Sequence, residues 1–207
     1  KEHNIFVASR TNESIESFNH KFIKIDVTKD SLDPSLLPDS LDGLVYCPGS
    51  INLRPFRGLK PETFVEDFNL NVMGAIKTIS AVLKNLNNAD HSSIVLFSTV
   101  AVQTGMPFHS SIAVSKGAIE GLTRSLAAEL APKVSINAIA PSLVNTPLAE
   151  KFLNSESKME RAMDRHPLKK VGSPEELANT AVYLLLNSSW ITGQIIGVDG
   201  GIGTLKV

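Results

Sequence analysis

The sequence predicts a doubly wound α/β fold, in which helices cover both faces of a parallel sheet. Two observations lead to this prediction. Short runs rich in β-branched residues alternate with helical patterns along the chain, and this alternation is typical of a parallel sheet. The chain has 207 residues, of which 43% are hydrophobic, so a single domain spanning 1–207 can bury a substantial core.

The predicted strands define the sheet. We predict strands at residues 4–9, 22–26, 41–47, 93–98, 134–140 and 194–198. Between the third and fourth strands a helix begins near Pro61, since proline suits the first helical turn. That helix continues towards Asn85, and a break is expected between Asn69 and Gly74.

Two further helices follow in the second half of the chain. One carries Lys116 and ends at Pro132, because proline removes a donor from a helix interior. The other begins at residues 173–176, where a capping serine, a proline and two acids are typical of a helix start, and it ends near Asn187.

Charge and composition argue against several classes of function. The chain has 20 Lys and Arg and 21 Asp and Glu, for a net charge of −1, which gives no electrostatic basis for binding nucleic acid or an anionic membrane. No apolar run reaches the length of a membrane span, and no signal peptide is visible. The single cysteine, Cys47, cannot form an intrachain disulfide, so we expect a reducing, cytoplasmic location. The five histidines show no metal-ligand spacing.

Several segments carry polar or small residues at characteristic spacings. They are 69–74 with Asn71, 98–101 with Thr99, 111–118 with Lys116, 137–142 with Pro141, 145–148 with Thr146, and the pair 191–194 and 198–201. In this order they resemble the short-chain dehydrogenase/reductase family, and within it the 3-oxoacyl-(acyl carrier protein) reductases. The resemblance covers nearly the whole chain and implies a Rossmann-type sheet.

The resemblance implies a catalytic set with one departure. Asn71 and Lys116 match the family's catalytic asparagine and lysine, and Thr99 stands where the family has its catalytic serine. Ile112, thirteen residues after Thr99, occupies the position of the family's tyrosine, which gives a proton to the developing alkoxide. An isoleucine cannot donate that proton, so we expect slow turnover.

The resemblance also implies a dinucleotide site, and its residues indicate which dinucleotide. NAD-preferring members place an acid at the end of the strand occupied here by residues 4–9. Ser9 stands in that place, and Arg10 follows it, which suits a 2′-phosphate. We therefore expect NADP(H) rather than NAD(H). Asp26 and Val27 match the pair that contacts adenine.

The remaining cofactor positions lie near the nicotinamide in the family. Pro141 lines the nicotinamide, Thr146 grips its carboxamide, and Gly49 ends the turn that the family writes Asn-Asn-Ala-Gly. That turn reads Tyr-Cys-Pro-Gly at 46–49, and the family's Pro-Gly reads Pro-Ser at 141–142. In the family a further strand and helix precede the strand at 4–9, with the glycine-rich phosphate loop between them, and we expect those residues upstream of Lys1.

Two classes of function are consistent with these residues. The first is an NADP(H)-dependent oxidoreductase for a carbonyl or alcohol substrate, impaired by Ile112. The alternative is a non-catalytic dinucleotide-binding regulatory or structural protein, and a third interpretation is altered chemistry through Lys116 or His109. Residues 147–166 are expected to form a substrate lid, whose Phe152, Met159 and Met163 suggest an apolar ligand. As the family commonly does, the chain is expected to form a homotetramer or homodimer.

Overall fold

The computed structural model describes residues 3–13 and 19–206. Its strands in that part of the chain are all paired in parallel and fall into two sheets. In the smaller sheet β1 (Phe6–Ser9) pairs with β2 (Lys21–Lys24). The larger sheet has the order β3-β4-β5-β6 and consists of Gly43–Val45, Ser92–Phe97, Val134–Pro141 and Ile195–Val198.

The helices lie between these strands, as the alternating pattern predicts. They are α1 (Pro61–Phe68), α2 (Gly74–Asn87), α3 (Ala101–Thr104), α4 (Ser110–Leu130), α5 (Glu150–Leu153), α6 (Glu156–Asp164) and α7 (Pro174–Leu186). A π-helix at Asn69–Met73 joins α1 to α2, and short 3₁₀ turns occur at Pro34–Leu36, Phe56–Gly58 and Pro147–Ala149. The sequence predicted α1, α2, α4 and α7, whereas α3, α5 and α6 were not assigned.

The core confirms that helices cover both faces of the larger sheet. Ile94 and Leu96 of β4 are fully buried and pack on one face with α2 and α4 side chains such as Leu86 and Ile119. Val95, between them, is also fully buried but packs on the other face with Leu184 of α7. Because side chains alternate along a strand, burial of consecutive residues requires a helical layer on each side.

The two sheets do not pair with each other. β1 and β3 are both edge strands of the described sheets, and Ile5, beside β1, lines the same cavity as Val45 of β3. An unpaired strand edge presents free backbone donors and acceptors. The further strand that the sequence analysis expects upstream of residue 1 stays a prediction.

The α-helix is interrupted at the predicted break, where a π-helix at Asn69–Met73 separates α1 from α2 and keeps the chain helical. The hydroxyl of Tyr46 donates a 2.6 Å hydrogen bond to the carbonyl oxygen of Leu70, so a side chain satisfies this backbone group of the wider turn. Gly74 permits that approach, since a side chain built on it would lie 2.1 Å from the Tyr46 hydroxyl oxygen. Single π-turns within α-helices occur frequently at functional sites.

Candidate active site

A cavity of about 1100 Å³ lies at the carboxyl ends of the strands in the larger sheet. Val45, Phe97 and Pro141, at the ends of β3, β4 and β5, form part of its wall. Ligands of open α/β sheets bind at this edge. Six of the predicted site residues line the cavity together: Gly49, Thr99, Ile112, Lys116, Pro141 and Thr146.

Ile112 and Lys116 share the buried side of α4. They are four residues apart, which places them one turn from each other on the helix, and they are only 5% and 7% exposed. Burial lowers the pKa of the Lys116 amine to about 8, while the nearby Cys47 and Asp67 partly oppose that shift. Within the part of the chain that the structure describes, the amine has no hydrogen-bond partner. It is therefore available to a ligand in the cavity.

Asn71 lies in the π-helix, fully buried, next to the same amine. Its amide nitrogen donates to the Asp67 carbonyl oxygen at 2.8 Å and to the Ser50 hydroxyl at 3.0 Å. Its amide oxygen has no partner among the described residues. A side chain built on Gly49 would lie 3.4 Å from that oxygen and 3.6 Å from the Lys116 amine. Gly49 thus leaves open the place where an unsatisfied acceptor and a free donor converge.

The sequence analysis missed a buried carboxylate beside these groups. Asp67 of α1 is 1% exposed and accepts hydrogen bonds from Ser50 at 2.5 Å and Asn52 at 2.7 Å. Its second oxygen accepts a 2.5 Å hydrogen bond from Ser111, the residue before Ile112. The sequence did indicate that Asp67 could lie near the site, because Asp67 precedes Asn71 by one helical turn. The carboxylate fixes α4 against the loop that carries Gly49.

Thr99 lies in the cavity wall with weak contacts of its own. Its hydroxyl accepts a 3.3 Å hydrogen bond from the Ala101 backbone and donates at 3.5 Å to the Pro141 carbonyl. The adjacent Ser98 instead donates to the buried carboxylate of Glu120 at 2.8 Å. Of the two hydroxyls, only the Thr99 hydroxyl remains loosely held enough to orient a ligand.

Two histidines line the cavity, and the sequence analysis singled out only one of them. His109, just before α4, donates from Nδ1 to the Pro107 carbonyl at 2.7 Å. His166 was not considered for the site. It is 3% exposed, and its Nε2 accepts a 2.8 Å hydrogen bond from Ser142. The sequence held one indication of this contact, because Ser142 stands where the family has the glycine of its Pro-Gly segment.

The predicted adenine-side residues lie apart from this wall. Ser9 and Arg10 end β1, and the Ser9 hydroxyl donates to the Thr11 carbonyl. The Asp26 carboxylate accepts hydrogen bonds from the Thr28 hydroxyl and backbone at 2.6 and 3.0 Å. These bonds, with Lys29 and Arg10 nearby, hold the pKa of Asp26 below its usual range.

The neighbouring Val27 lies close to the start of α2. Its side chain lies 3.3 Å from a side chain built on Gly74, at the start of α2. None of Ser9, Arg10, Asp26 and Val27 lines the cavity. These four residues thus lie at the carboxyl ends of β1 and β2 and are not part of the cavity wall.

The described residues contain neither a membrane-spanning helix nor a group of metal ligands. No helix in the described residues has the length and apolar character needed to cross a membrane. In the same part of the chain, no three His, Cys, Asp or Glu side chains are grouped so that they could hold a metal ion.

Comparison with known proteins gives matches along most of the chain. A family model described as enoyl-(acyl carrier protein) reductase matches residues 4–203. The 3-oxoacyl-[acyl-carrier-protein] reductase FabG of Thermotoga maritima is 36% identical over 146 residues, which is 70% of this chain and 58% of that protein. The short-chain reductase protein NovJ of Streptomyces niveus is 34% identical over 168 residues, 78% of this chain and 64% of that protein. The chain thus spans less than two thirds of the length of these relatives.

Solved structures give the same picture. ElxO with NADP bound superposes with a TM-score of 0.89 at 25% identity, over 98% of this chain and 90% of that one. A short-chain dehydrogenase family protein from Francisella tularensis has a TM-score of 0.88 at 27% identity, over 98% and 89% of the two chains. The parallel α/β fold with its helices is therefore shared with dehydrogenases and reductases.

Proposed function

We propose that this chain, which belongs to the short-chain dehydrogenase/reductase family of oxidoreductases, binds NADP(H) and reduces a carbonyl substrate slowly. The convergence of the Lys116 amine and the unpartnered Asn71 oxygen beside Gly49 supports this proposal above all. The pair places a donor that lines the cavity near a buried acceptor, both within 4 Å of a side chain built on Gly49. Ile112, which occupies the same side of α4, supports the slow rate.

The residues present fit a nicotinamide dinucleotide. A nicotinamide ribose would satisfy the Lys116 amine, and Pro141 and Thr146 line the cavity where the nicotinamide would lie. Arg10, at the end of β1, would receive the 2′-phosphate of NADP(H). When bound, the cofactor supplies the hydride. The chain's own residues must then bind the cofactor, orient the carbonyl substrate and provide the proton for its oxygen.

The missing proton donor sets the expected rate. A positioned acid contributes roughly 10²–10⁴-fold to proton transfer, and the Ile112 side chain has no proton to give. Thr99 can still orient a carbonyl oxygen, because its own hydrogen bonds are long. We therefore expect cofactor binding to persist while ketone reduction is slow.

Placing a tyrosine at position 112 tests the proposal. NADPH oxidation is followed with Ile112→Tyr over a panel of ketones and 3-oxoacyl thioesters, and about 10²-fold or greater acceleration is expected. Ala128→Tyr is the matched control, because Ala128 is exposed on the same helix. If the parent already turns over as fast as Ile112→Tyr, another group provides the proton. In that case Lys116 and His109 are the next residues to substitute.

The second candidate is a non-catalytic dinucleotide-binding protein with a regulatory or structural role. The observation in its favour is again Ile112, whose hydrocarbon side chain is well buried and so suits a packing role. The same experiment separates the candidates. A variant that binds NADPH and still fails to oxidise it with any carbonyl in the panel would support the non-catalytic protein.

We also propose that a strand from the preceding part of the full protein fills the gap between β1 and β3. The free edges of both strands support this. In a longer protein that includes the preceding residues, amides of β1 and β3 should exchange with deuterium more slowly than in this chain. Equal exchange in the two proteins would contradict the insertion of a strand.

Assembly into a homotetramer or homodimer is a further part of the proposal. Val114 and Leu186, on α4 and α7, are about half exposed, and apolar helix faces of this kind commonly pack against a second copy. Light scattering at micromolar concentration should give at least twice the mass of the chain. A monomeric mass would contradict the assembly.

A further inference from the structure

The charges of α6 are segregated on two sides of the helix. Its acids, Glu156, Glu160 and Asp164, recur every four residues and none of them lines the cavity. Its bases, Lys158 and Arg161, are followed by Arg165 at the helix end, with spacings of three and four residues. Residues at these spacings share one face of a helix. All three bases line the cavity.

The cavity wall is strongly positive as a result. Lys151 of α5 joins these three bases, and Lys116 lies deeper in the same wall. No Asp or Glu is among the described residues that line the cavity. The chain as a whole has a net charge of −1, so this concentration of positive charge is local to the cavity rather than general.

Within the described residues, neither of the two α6 guanidinium groups has an acidic partner. The ion pairs in the described part of the chain join Lys29 to Asp26, Arg124 to Glu120 and Lys170 to Glu176. Among the described residues, Arg165 donates a hydrogen bond to the sulfur of Met106, at 4.0 Å, and Arg161 has no hydrogen bond.

The lysines at the cavity mouth are more engaged. Lys158 donates to Asn154 at 2.7 Å and to the Lys151 carbonyl at 2.9 Å. Lys151 donates to the carbonyl oxygen of Ile51 at 3.1 Å, which ties α5 to the loop after Gly49. The lysines thus hold the helices over the cavity, whereas the arginines donate to no oxygen atom of a described residue.

We propose that Arg161 and Arg165 bind an anionic group, a carboxylate or a phosphate, carried by the carbonyl substrate. The planar fork of a guanidinium suits two-point hydrogen bonding to either group. The carbonyl part of this inference rests on the proposed function, whereas the anion site does not. Apolar residues such as Phe152 and Leu148 line the same cavity and would contact the hydrocarbon between the anion and the carbonyl.

The phosphates of a dinucleotide are the rival ligand for these arginines. Arg10, which is expected to receive the 2′-phosphate, ends β1 and does not line the cavity. The two sites can therefore be separated by substitution. Loss of an α6 arginine should leave the affinity for NADP⁺ unchanged, and loss of Arg10 should leave the anion site unchanged.

Matched probes test the inference by calorimetry. The acid 4-oxopentanoate is compared with its neutral amide, and dihydroxyacetone phosphate with dihydroxyacetone, on the protein with and without NADP⁺. At least one anion should bind about fivefold or more tightly than its neutral partner, and the preference should weaken as sodium chloride is added. The anion with the larger gain in affinity over its neutral partner shows whether the site prefers a carboxylate or a phosphate.

Substitution shows whether the arginines are responsible. Arg161→Gln and Arg165→Gln should each lower the affinity for the preferred anion about three- to tenfold and leave the neutral probe unaffected. Arg57→Gln is the control, because Arg57 is exposed, does not line the cavity and changes the net charge equally. Equal binding of anion and neutral partner, or an equal loss with Arg57→Gln, would overturn the inference. Anion preference without NADP⁺ binding would instead overturn the proposed function and leave this site in place.

Discussion

Ser142 donates a 2.8 Å hydrogen bond to Nε2 of His166, and this contact joins the end of β5 to the segment that follows α6. Nδ1 of the same ring lies 2.6 Å from the carbonyl oxygen of Ala162. A carbonyl only accepts, so Nδ1 carries the proton and Nε2 of the neutral ring is the acceptor. The ring also packs against Gly200, where a built side chain would lie 3.3 Å from it. Two polar contacts thus hold the helix that carries Arg161 over the cavity.

Removing the serine hydroxyl should destabilise the protein. Ser142→Ala leaves the buried Nε2 of His166 without its donor, and an unsatisfied buried polar group costs about 1–3 kcal/mol. The free energy of unfolding in urea measures this. Ser157→Ala is the control, because Ser157 is exposed on α6 and should change stability by less than ~0.5 kcal/mol. Equal stability of the two variants would show that the contact contributes nothing.

Gly74 should tolerate no side chain. A methyl group there would meet the Tyr46 hydroxyl at 2.1 Å and Val27 at 3.3 Å, and overpacking of this kind costs about 1–3 kcal/mol or more. Gly121→Ala is the matched control, since nothing lies within 4 Å of a side chain built on Gly121 in α4. It should stabilise the helix by ~0.5–1 kcal/mol. Thermal unfolding that moves both variants in the same direction would contradict this prediction.

Arg10 should decide the choice of dinucleotide. A charge-assisted contact to the 2′-phosphate contributes about 1.5–3 kcal/mol, so Arg10→Ala should weaken NADP⁺ binding roughly tenfold or more and leave NAD⁺ binding unchanged. Fluorescence titration of both dinucleotides against parent and variant measures the two affinities. Equal affinity of the parent for NAD⁺ and NADP⁺ would refute the assignment.

The sequence predicted the layers of the fold well because those layers depend on local pattern. Each of the predicted strands forms within the range assigned to it or within one residue of it, and the capping box at Ser173 forms as expected. The π-helix could not be predicted in the same way. It depends on the Tyr46 hydroxyl reaching the Leu70 carbonyl across 24 positions of sequence, and such a contact leaves no periodic signal.

The candidate site was only partly predictable for the same reason. Lys116, Asn71 and Thr99 could be assigned to one site because each lies in a short motif that matches the family, and the motifs occur in the family's order. Asp67 and His166 were missed, since their partners Ser111 and Ser142 are 44 and 24 residues away. Their importance arises from burial and pairing, which only the folded chain defines.

Lys116 should make the stability of the folded chain depend on pH. Burial lowers the pKa of its amine from 10.5 to about 8. Between these two values the unfolded chain binds a proton that the folded chain does not. The free energy of unfolding therefore rises as the pH increases from about 8 to 10.5. Below about pH 8 the buried amine is charged and destabilises the fold.

Replacing the lysine by an uncharged side chain of similar size should abolish this dependence. Lys116→Met should be more stable than the parent near pH 7.5, and its advantage should shrink by ~2 kcal/mol by pH 9.5, because each unit of pKa difference corresponds to about 1.4 kcal/mol. Urea denaturation at the two pH values measures both proteins. Lys84→Met is the control, since Lys84 is exposed on α2 and should show no such change. An advantage for Lys116→Met that stays constant with pH would mean that the amine keeps its ordinary pKa in the fold.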